Sequence, residues 1–210
     1  MIGTKKERAE RRQRQRNNID GTSLKWPGAQ NKFALFAQVL WTGLLVTVAS
    51  LPIVTIPPAL AAGAGHLHRH LRAEPTYVSR FFRDWRDALP GGIVIGVLGL
   101  LAAALLAVDI ALSVDRVVPG WPVILFAGVL ALAALLVTLT LAAAHWQGRG
   151  SWKPALLSAV ASLKTDPLGA GCILATLVLG VLVAWQLPPL VVPGLGSLIF
   201  VSWCVHHRKR

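Results

Sequence analysis

The chain has 210 residues, of which 54% are hydrophobic and 14% are charged, and its mean hydropathy is +0.58. Soluble domains are about 45–50% apolar and about 25% charged, so this composition disfavours a soluble enzyme and excludes a disordered or collagen-like chain. Two cysteines are too few for a disulfide framework. The composition predicts an all-α integral membrane protein, built as a helical bundle, and the net charge of +12 indicates that basic residues are concentrated in part of the chain.

Residues 1–32 are predicted to form a disordered basic arm on the cytoplasmic side. The run from Lys5 to Arg16 holds seven basic residues against two acidic ones, and no apolar run begins before Phe33. A segment of this composition buries too little apolar surface to offset the entropy that folding removes. We expect the arm to bind anionic lipid headgroups, at about 1 kcal/mol per basic residue near the surface. We expect no nucleic acid partner, since no aromatic residue precedes Trp26.

Six apolar segments follow, and we interpret them as a six-helix transmembrane domain over residues 33–205. Asp166 and Pro167 have the residue types of an N-cap and a first helical position, which predicts where the fifth helix begins. The second and sixth segments are short, which leaves open that one of them is re-entrant. The predicted spans cover residues 33–51, 58–71, 91–114, 123–144, 168–187 and 190–205, and a basic cytoplasmic tail, residues 206–210, follows them.

The distribution of basic residues predicts the orientation of these spans. Six crossings with a cytoplasmic N-terminus place four segments inside the cell, and those segments hold 20 of the 21 Lys and Arg residues. Arg116 is the exception. The positive-inside rule therefore predicts a multi-pass protein with both termini in the cytoplasm. The inside segments are residues 1–32, 66–90, 145–167 and 206–210.

Residues 76–89, between the second and third spans, are predicted to form an amphipathic helix at the cytoplasmic interface. Aromatic residues recur there at helical spacing, opposite a row of arginines. This pattern is typical of a helix that lies among lipid headgroups. Arg80 and Asp84 are also spaced for an ion pair along one helix face. The aromatic residues are Phe81, Phe82 and Trp85, and the arginines include Arg83 and Arg86.

The sequence around the first turn and this amphipathic helix resembles the YesL-like family, which comprises small bacterial multi-pass membrane proteins of undefined biochemical function. The resemblance covers about residues 33–90 and rests on hydropathy alone beyond Gly91. Trp85 stands where the family usually has Phe. The resemblance implies six spans in the bacterial cell membrane and genes beside carbohydrate uptake and degradation systems, and it implies no catalytic residue. The matching residues are Trp41, Leu51, Pro52, Thr55 and Ala59, then Phe81, Phe82, Arg83, Trp85 and Arg86.

The segment Leu51–Pro58 is the most distinctive local motif, because three prolines interrupt the apolar sequence there. Proline has no N–H to donate, so the chain is expected to turn. We favour a tight outer hairpin in which Thr55 caps the second helix, since the break follows a full-length apolar run. The other interpretation is a broken helix whose carbonyl groups hold an ion or a solute. The candidate residues are Leu51, Pro52, Thr55, Pro57 and Pro58.

Asp109 is the one acidic residue well inside a predicted span, and such residues are functional candidates. Pairing with Arg116, or reaching the outer interface, explains it more simply than a proton relay, because the spans offer no second buried ionisable partner. His66 and His70 share a helix face at a spacing that suits a metal ion. The arginines that flank them would repel a cation, so we expect no metal and no cofactor.

The expected function follows from the small number of polar residues in the spans and from the absence of nucleotide-binding, hydrolase and zinc motifs. We expect a non-enzymatic accessory or scaffold subunit of a membrane system, linked to carbohydrate uptake through the family resemblance. Its expected partners are the lipid bilayer and membrane subunits such as a transporter permease. The alternative is a small solute transporter or channel with a site at the Leu51–Pro58 break. Gly92 and Gly96 predict close helix packing, more often within a bundle than between two copies.

Overall fold

The structure, a computed structural model, describes residues 32–72, 74–115, 120–146, 151–186 and 191–207. Within these ranges all regular structure is helical, which confirms the all-α class for the described part of the chain. The predicted arm up to residue 31, Arg116 and residues 208–210 lie outside the described residues. The helices are α1 (Lys32–Ala49), α2 (Ile56–Leu71), α3 (Val78–Val114), α4 (Trp121–His145), α5 (Trp152–Thr165), α6 (Pro167–Gln186) and α7 (Val191–His207), with a short 3-10 turn at Ile53–Thr55 before α2.

Two of the described helices, α3 and α4, are long and apolar enough to cross a membrane. Helices α5 and α6 pass the same test only as a pair, and they meet at an angle of 106°, so they add at most a third span. Helices α1 and α7 are apolar but shorter. Helix length and composition thus indicate a membrane protein with two or three candidate spans, and they do not support the six spans expected from the sequence.

Helix α3 runs without a break through Pro90. The sequence predicted two separate elements here, an interfacial helix over residues 76–89 and a span over residues 91–114, and this division was wrong. A proline inside a helix leaves the carbonyl four residues earlier, that of Arg86, without its helical partner and usually bends or ends the helix. Here Ala88 and Gly92, on either side of Pro90, are both buried against neighbouring helices, which favours the continuous form.

Helix α5 was not predicted, because residues 145–167 were assigned only to the cytoplasmic side and no helix was proposed for them. Ser151 is its N-cap, and the Ser151 Oγ accepts a hydrogen bond from the Lys153 backbone N–H at 3.3 Å. The buried residues of α5 recur every three or four positions, so the helix is amphipathic and packs along one side. They are Trp152, Ala155 and Ala159.

The predicted start of the fifth apolar helix is confirmed in detail. Asp166 precedes α6, and its Oδ1 accepts a hydrogen bond from the Gly169 backbone N–H at 3.1 Å. Pro167 is the first residue of α6, where a missing N–H costs nothing. The cap separates α6 sharply from α5.

Helix α2 lies at the centre of the described bundle and packs against α1, α3, α4 and α7. Glycines allow the closest approaches. A Cβ on Gly43 of α1 would overlap the Val192 carbonyl oxygen of α7, and a Cβ on Gly196 would overlap the Val39 carbonyl oxygen. The α1 and α7 backbones therefore touch directly. Gly92 lies against the Pro58 ring in the same way, so the small-residue motif of α3 serves packing inside the bundle.

Candidate functional site at the two ends of α2

The turn between α1 and α2 is held by Thr55. This side chain is buried, and its hydroxyl lies 2.8 Å from the Ala49 carbonyl oxygen and 2.6 Å from the Pro52 carbonyl oxygen. The sequence predicted that Thr55 caps α2, and the position of this residue is confirmed. Thr55 occupies the N-cap position without a side-chain cap bond. Its hydroxyl instead donates backward, because the last carbonyls of α1 need donors as much as the first N–H groups of α2 do.

We expect Thr55→Val to lower the free energy of unfolding by about 1–3 kcal/mol, the cost of leaving the buried Ala49 carbonyl without a donor. Valine preserves the shape of the side chain and removes only the hydroxyl group. Thr55→Ser is the matched control, since it keeps the hydroxyl and should lose less. Denaturant unfolding in detergent micelles measures both variants. Equal losses would show that the methyl group, and not the hydrogen bond, holds the turn.

An apolar cavity of about 220 Å³ lies beside this turn. Its wall combines the turn with residues of α3, α4, α6 and α7. The polar side chain among the lining residues is Thr140, and its hydroxyl donates to the Leu136 carbonyl oxygen at 2.8 Å. A charged or heavily hydroxylated solute would therefore lose its hydration without gaining comparable partners. Residues that line the cavity include Ile53, Pro57, Gly96, Leu100, Leu139 and Leu195.

A polar cluster occupies the opposite end of α2. The Arg69 Nη2 of α2 donates to the Asp84 Oδ2 of α3 at 2.5 Å, and both side chains are largely buried. The sequence predicted that Asp84 pairs with Arg80 along its own helix, whereas the structure pairs it with α2. Gly65 lies beside the pair, and a Cβ there would make an ordinary contact with Asp84 Oδ2 at 3.6 Å. The ion pair fixes the position of α2 along α3.

Two histidines of α2 join it to further helices. His66 is buried, and the Gln38 side-chain amide of α1 donates to its Nε2 at 2.9 Å. The His66 ring also meets Phe81 of α3 edge to face, with 6.0 Å between ring centroids. His68 Nδ1 accepts from the Trp203 Nε1–H of α7 at 2.9 Å. In the part of the chain that the structure describes, no three His, Cys, Asp or Glu side chains could together hold a metal ion.

The aromatic residues predicted for one face of the amphipathic helix differ in burial. Phe81 is fully buried, Trp85 is partly buried, and Phe82 is 40% exposed. The Phe82 ring meets Phe81 at 5.4 Å and Trp85 at 6.4 Å between centroids, in both cases edge to face. Arg83 and Arg86 are exposed, as the amphipathic pattern predicts. The first part of α3 therefore packs into the bundle through Phe81, and it exposes two arginines and one aromatic ring on its outer side.

Asp109 lies apart from both ends of α2. It is exposed on the last part of α3, and its backbone carbonyl accepts the Ser113 hydroxyl at 2.7 Å. It is 25 residues from Asp84 along the same helix, a distance of about 37 Å. The structure does not bring Asp109 to the polar cluster.

Sequence reasoning missed most of the polar cluster. Arg69 and Asp84 lie fifteen residues apart on different helices, and Gln38 and His66 lie 28 residues apart. The helical spacing rules relate positions three or four residues apart, so they give no signal for such pairs. The spacing of His66 and His70 was noticed, but as a metal pattern and not as helix contacts.

Residues 35–110 match a protein family described as "Protein of unknown function, DUF624". Neither a curated protein nor a solved structure matches the chain. The matched residues include both ends of α2 and most of α1 and α3. The turn and the polar cluster therefore lie in the part of the chain that is similar to this family of unknown function.

Proposed function

We propose that this protein is a non-enzymatic accessory or scaffold subunit of a bacterial membrane system, and that its partner docks on the first part of α3. The observation that carries the proposal is the exposure of Arg83, Arg86 and Phe82 on a helix that is fixed to α2. Phe81 and the Arg69–Asp84 ion pair hold this helix from behind. A fixed helix loses little conformational entropy when a partner binds to its outer side.

The chemistry of this surface suits an acidic partner. Arginine and aromatic residues carry much of the binding energy in protein interfaces. The guanidinium group also forms paired hydrogen bonds with a carboxylate, so acidic side chains on a cytoplasmic loop are the natural contacts. A permease subunit of a transporter offers such loops. The stretch that resembles the YesL-like family overlaps the DUF624 match, and that resemblance is what links the proposal to carbohydrate uptake.

We also propose that both termini lie in the cytoplasm and that the protein resides in the bacterial cell membrane. The proposal rests on the distribution of Lys and Arg residues, since 20 of the 21 fall into the segments predicted to lie on the cytoplasmic side. Any even number of crossings gives the same location of the termini. The six crossings that the family resemblance implies are one such number.

The proposed docking surface is tested by co-purification. A tagged chain is expected to recover a permease subunit from its native membranes, and the double variant Arg83→Glu/Arg86→Glu is expected to lose it. The matched control is Lys153→Glu/Lys164→Glu, which changes the charge equally at exposed positions on α5. Retention of the permease by the α3 variant, or equal loss in both variants, would contradict docking on α3.

The alternative, a small solute transporter or channel, has less support. The cavity beside the Leu51–Pro58 break is lined almost entirely by apolar side chains, and Asp109 is not among the residues that line it. Flux of a sugar or an ion into liposomes that contain the purified chain alone would favour this alternative and overturn the accessory role.

The basic arm is expected to bind membranes through charge. A peptide of residues 1–20 should bind vesicles that contain anionic lipid, with an affinity that falls steeply as salt rises, because salt screens the attraction. Vesicles of neutral lipid are the control, and equal binding to them would refute the electrostatic account. Deletion of these residues should leave the helical content of the protein, measured by circular dichroism, unchanged.

A further inference from the structure

Helix α2 lies beside the first half of α3 and does not reach its far end. Near the end of α2, His66 packs on Phe81, close to the start of α3. Near the beginning of α2, a Cβ on Gly92 would lie 2.9 Å from the Pro58 ring. A Cβ on Gly96 would overlap the carbonyl oxygen of Val54, in the turn itself. The α1–α2 turn is therefore level with Gly96 of α3.

A large part of α3 extends beyond this level. Residues 97–114 follow Gly96, and at 1.5 Å per residue they add about 27 Å. The hydrocarbon core of a bilayer is about 30 Å thick. The apolar part of α3 begins at Gly91, so the turn reaches only about 8 Å into the layer that α3 crosses. Helices α1 and α2 end far short of its other side.

Helix α4 accompanies α3 over the extended part. Gly99 lies close to Leu139, and Gly128 lies close to Ile110, which gives an antiparallel pair. The outer sides of both helices are apolar and exposed, as expected for a pair that crosses hydrocarbon. Exposed residues include Leu98, Leu101, Leu105 and Val108 on α3, and Val123, Phe126, Val129 and Leu130 on α4.

We propose that α1 and α2 form a re-entrant hairpin, which enters the membrane from the side of the basic residues and ends within that leaflet. The tip is apolar and exposed: Leu51 is 77% exposed and Ile53 is 62% exposed. The acyl chains of the same leaflet cover these side chains. The hairpin enters and leaves the membrane on one side, so α1 and α2 need not cross it. Both termini still lie on the side of the basic residues, as the positive-inside rule requires.

The backbone of the turn is suited to hydrocarbon. Irregular backbone at membrane depth requires partners within the protein for its polar groups. The Thr55 N–H donates to the Pro52 carbonyl oxygen at 2.8 Å, and the Ser50 N–H donates to the Val46 carbonyl oxygen at 2.9 Å. The Thr55 hydroxyl serves the Ala49 carbonyl as well. Three residues of the segment carry no N–H at all, namely Pro52, Pro57 and Pro58.

The depth of the tip is tested with single cysteines in the full chain. Cys172→Ser and Cys204→Ser remove the native thiols. Ile53→Cys then probes the tip, Asp115→Cys probes the far end of α3, and Arg83→Cys probes its first part; all three positions are exposed. Right-side-out and inverted vesicles are treated with a membrane-impermeant maleimide. The same cysteines are also labelled with a membrane-permeant bimane, and quenching of its fluorescence by lipids with brominated acyl chains is measured.

A re-entrant hairpin gives a distinct pattern. The thiol of Asp115→Cys should react from one side, that of Arg83→Cys from the other, and that of Ile53→Cys from neither. A bimane at position 53 should be strongly quenched by the brominated chains. Reaction from the Asp115 side would show a full crossing, reaction from the Arg83 side would show a hairpin in water, and absence of quenching would show a tip buried in protein. Each of these three results would overturn the proposal. Leu51→Cys is the second variant if Ile53→Cys does not fold.

Discussion

Gly96→Ala is expected to lower the free energy of unfolding by about 1–3 kcal/mol, the usual range for an overpacked core. The added methyl group would overlap the Val54 carbonyl oxygen, which belongs to the backbone of the α1–α2 turn. A backbone atom cannot rotate away as a side chain can, so α3 and the hairpin must separate. Gly196→Ala should cost a similar amount, since its methyl group would overlap the Val39 carbonyl oxygen of α1. Denaturant unfolding in detergent, followed by circular dichroism, measures both effects.

The matched controls are Gly171→Ala and Gly180→Ala on α6. A Cβ at either position would meet no atom within 4 Å. Alanine is a better helix former than glycine by about 0.5–1 kcal/mol, so these variants should be as stable as the original chain or slightly more stable. If Gly96→Ala behaved like the α6 controls, the close contact between α3 and the turn would be refuted, and with it the level of the hairpin.

The sequence predicted the bounds of a helix well wherever a residue that is unfavourable inside a helix lies next to an apolar run. The predicted fourth span, residues 123–144, differs from α4 by only two residues at its start and one at its end. Gly120 precedes α4 with a φ of +82°, a conformation that side chains with a Cβ rarely adopt. Asp166 and Pro167 define the start of α6 in the same local way. These signals depend on near neighbours, which a sequence displays directly.

The number of crossings could not be predicted in this way. The apolar run of residues 33–51 has the length of a span, but length does not give the depth at which a helix lies. Contacts between distant positions, such as Val54 with Gly96 and Arg69 with Asp84, set the level at which one helix lies beside another. Pro90 shows the same limit, because its local effect is to end a helix and the packing around Ala88 and Gly92 prevents this.

The missed helix α5 has a sequence signal that hydropathy analysis does not detect. Ser151 is an N-cap residue, and Trp152, Ala155 and Ala159 follow at helical spacing. The segment is too polar to cross a membrane, so it was classed with the cytoplasmic connections. A test for amphipathic periodicity, applied between the apolar runs as well as within them, would have found it.

Trp152→Ala is expected to have the largest effect of any single substitution on α5, at about 3–5 kcal/mol of unfolding free energy. Trp152 is 5% exposed and packs against Gly91 of α3, where a Cβ would overlap the indole ring. It stacks on Trp146 with 5.9 Å between ring centroids, and its Nε1–H donates to the Ala88 carbonyl oxygen at 3.1 Å. Truncation removes all three contacts, so the amides of α5 should exchange with deuterium much faster.

Two further variants separate the contributions. Trp152→Phe keeps an aromatic ring and loses the hydrogen bond to Ala88, which is worth about 1 kcal/mol. Leu157→Ala, at a position that is 73% exposed on the same helix, should leave amide exchange in α5 nearly unchanged. Because Ala88 lies two residues before Pro90, loss of Trp152 should also speed exchange in this part of α3. If amide exchange became faster only in α5, then α3 would continue through Pro90 without the Trp152 contact. Contacts between α3 and α2 alone would then hold this part of α3 in place.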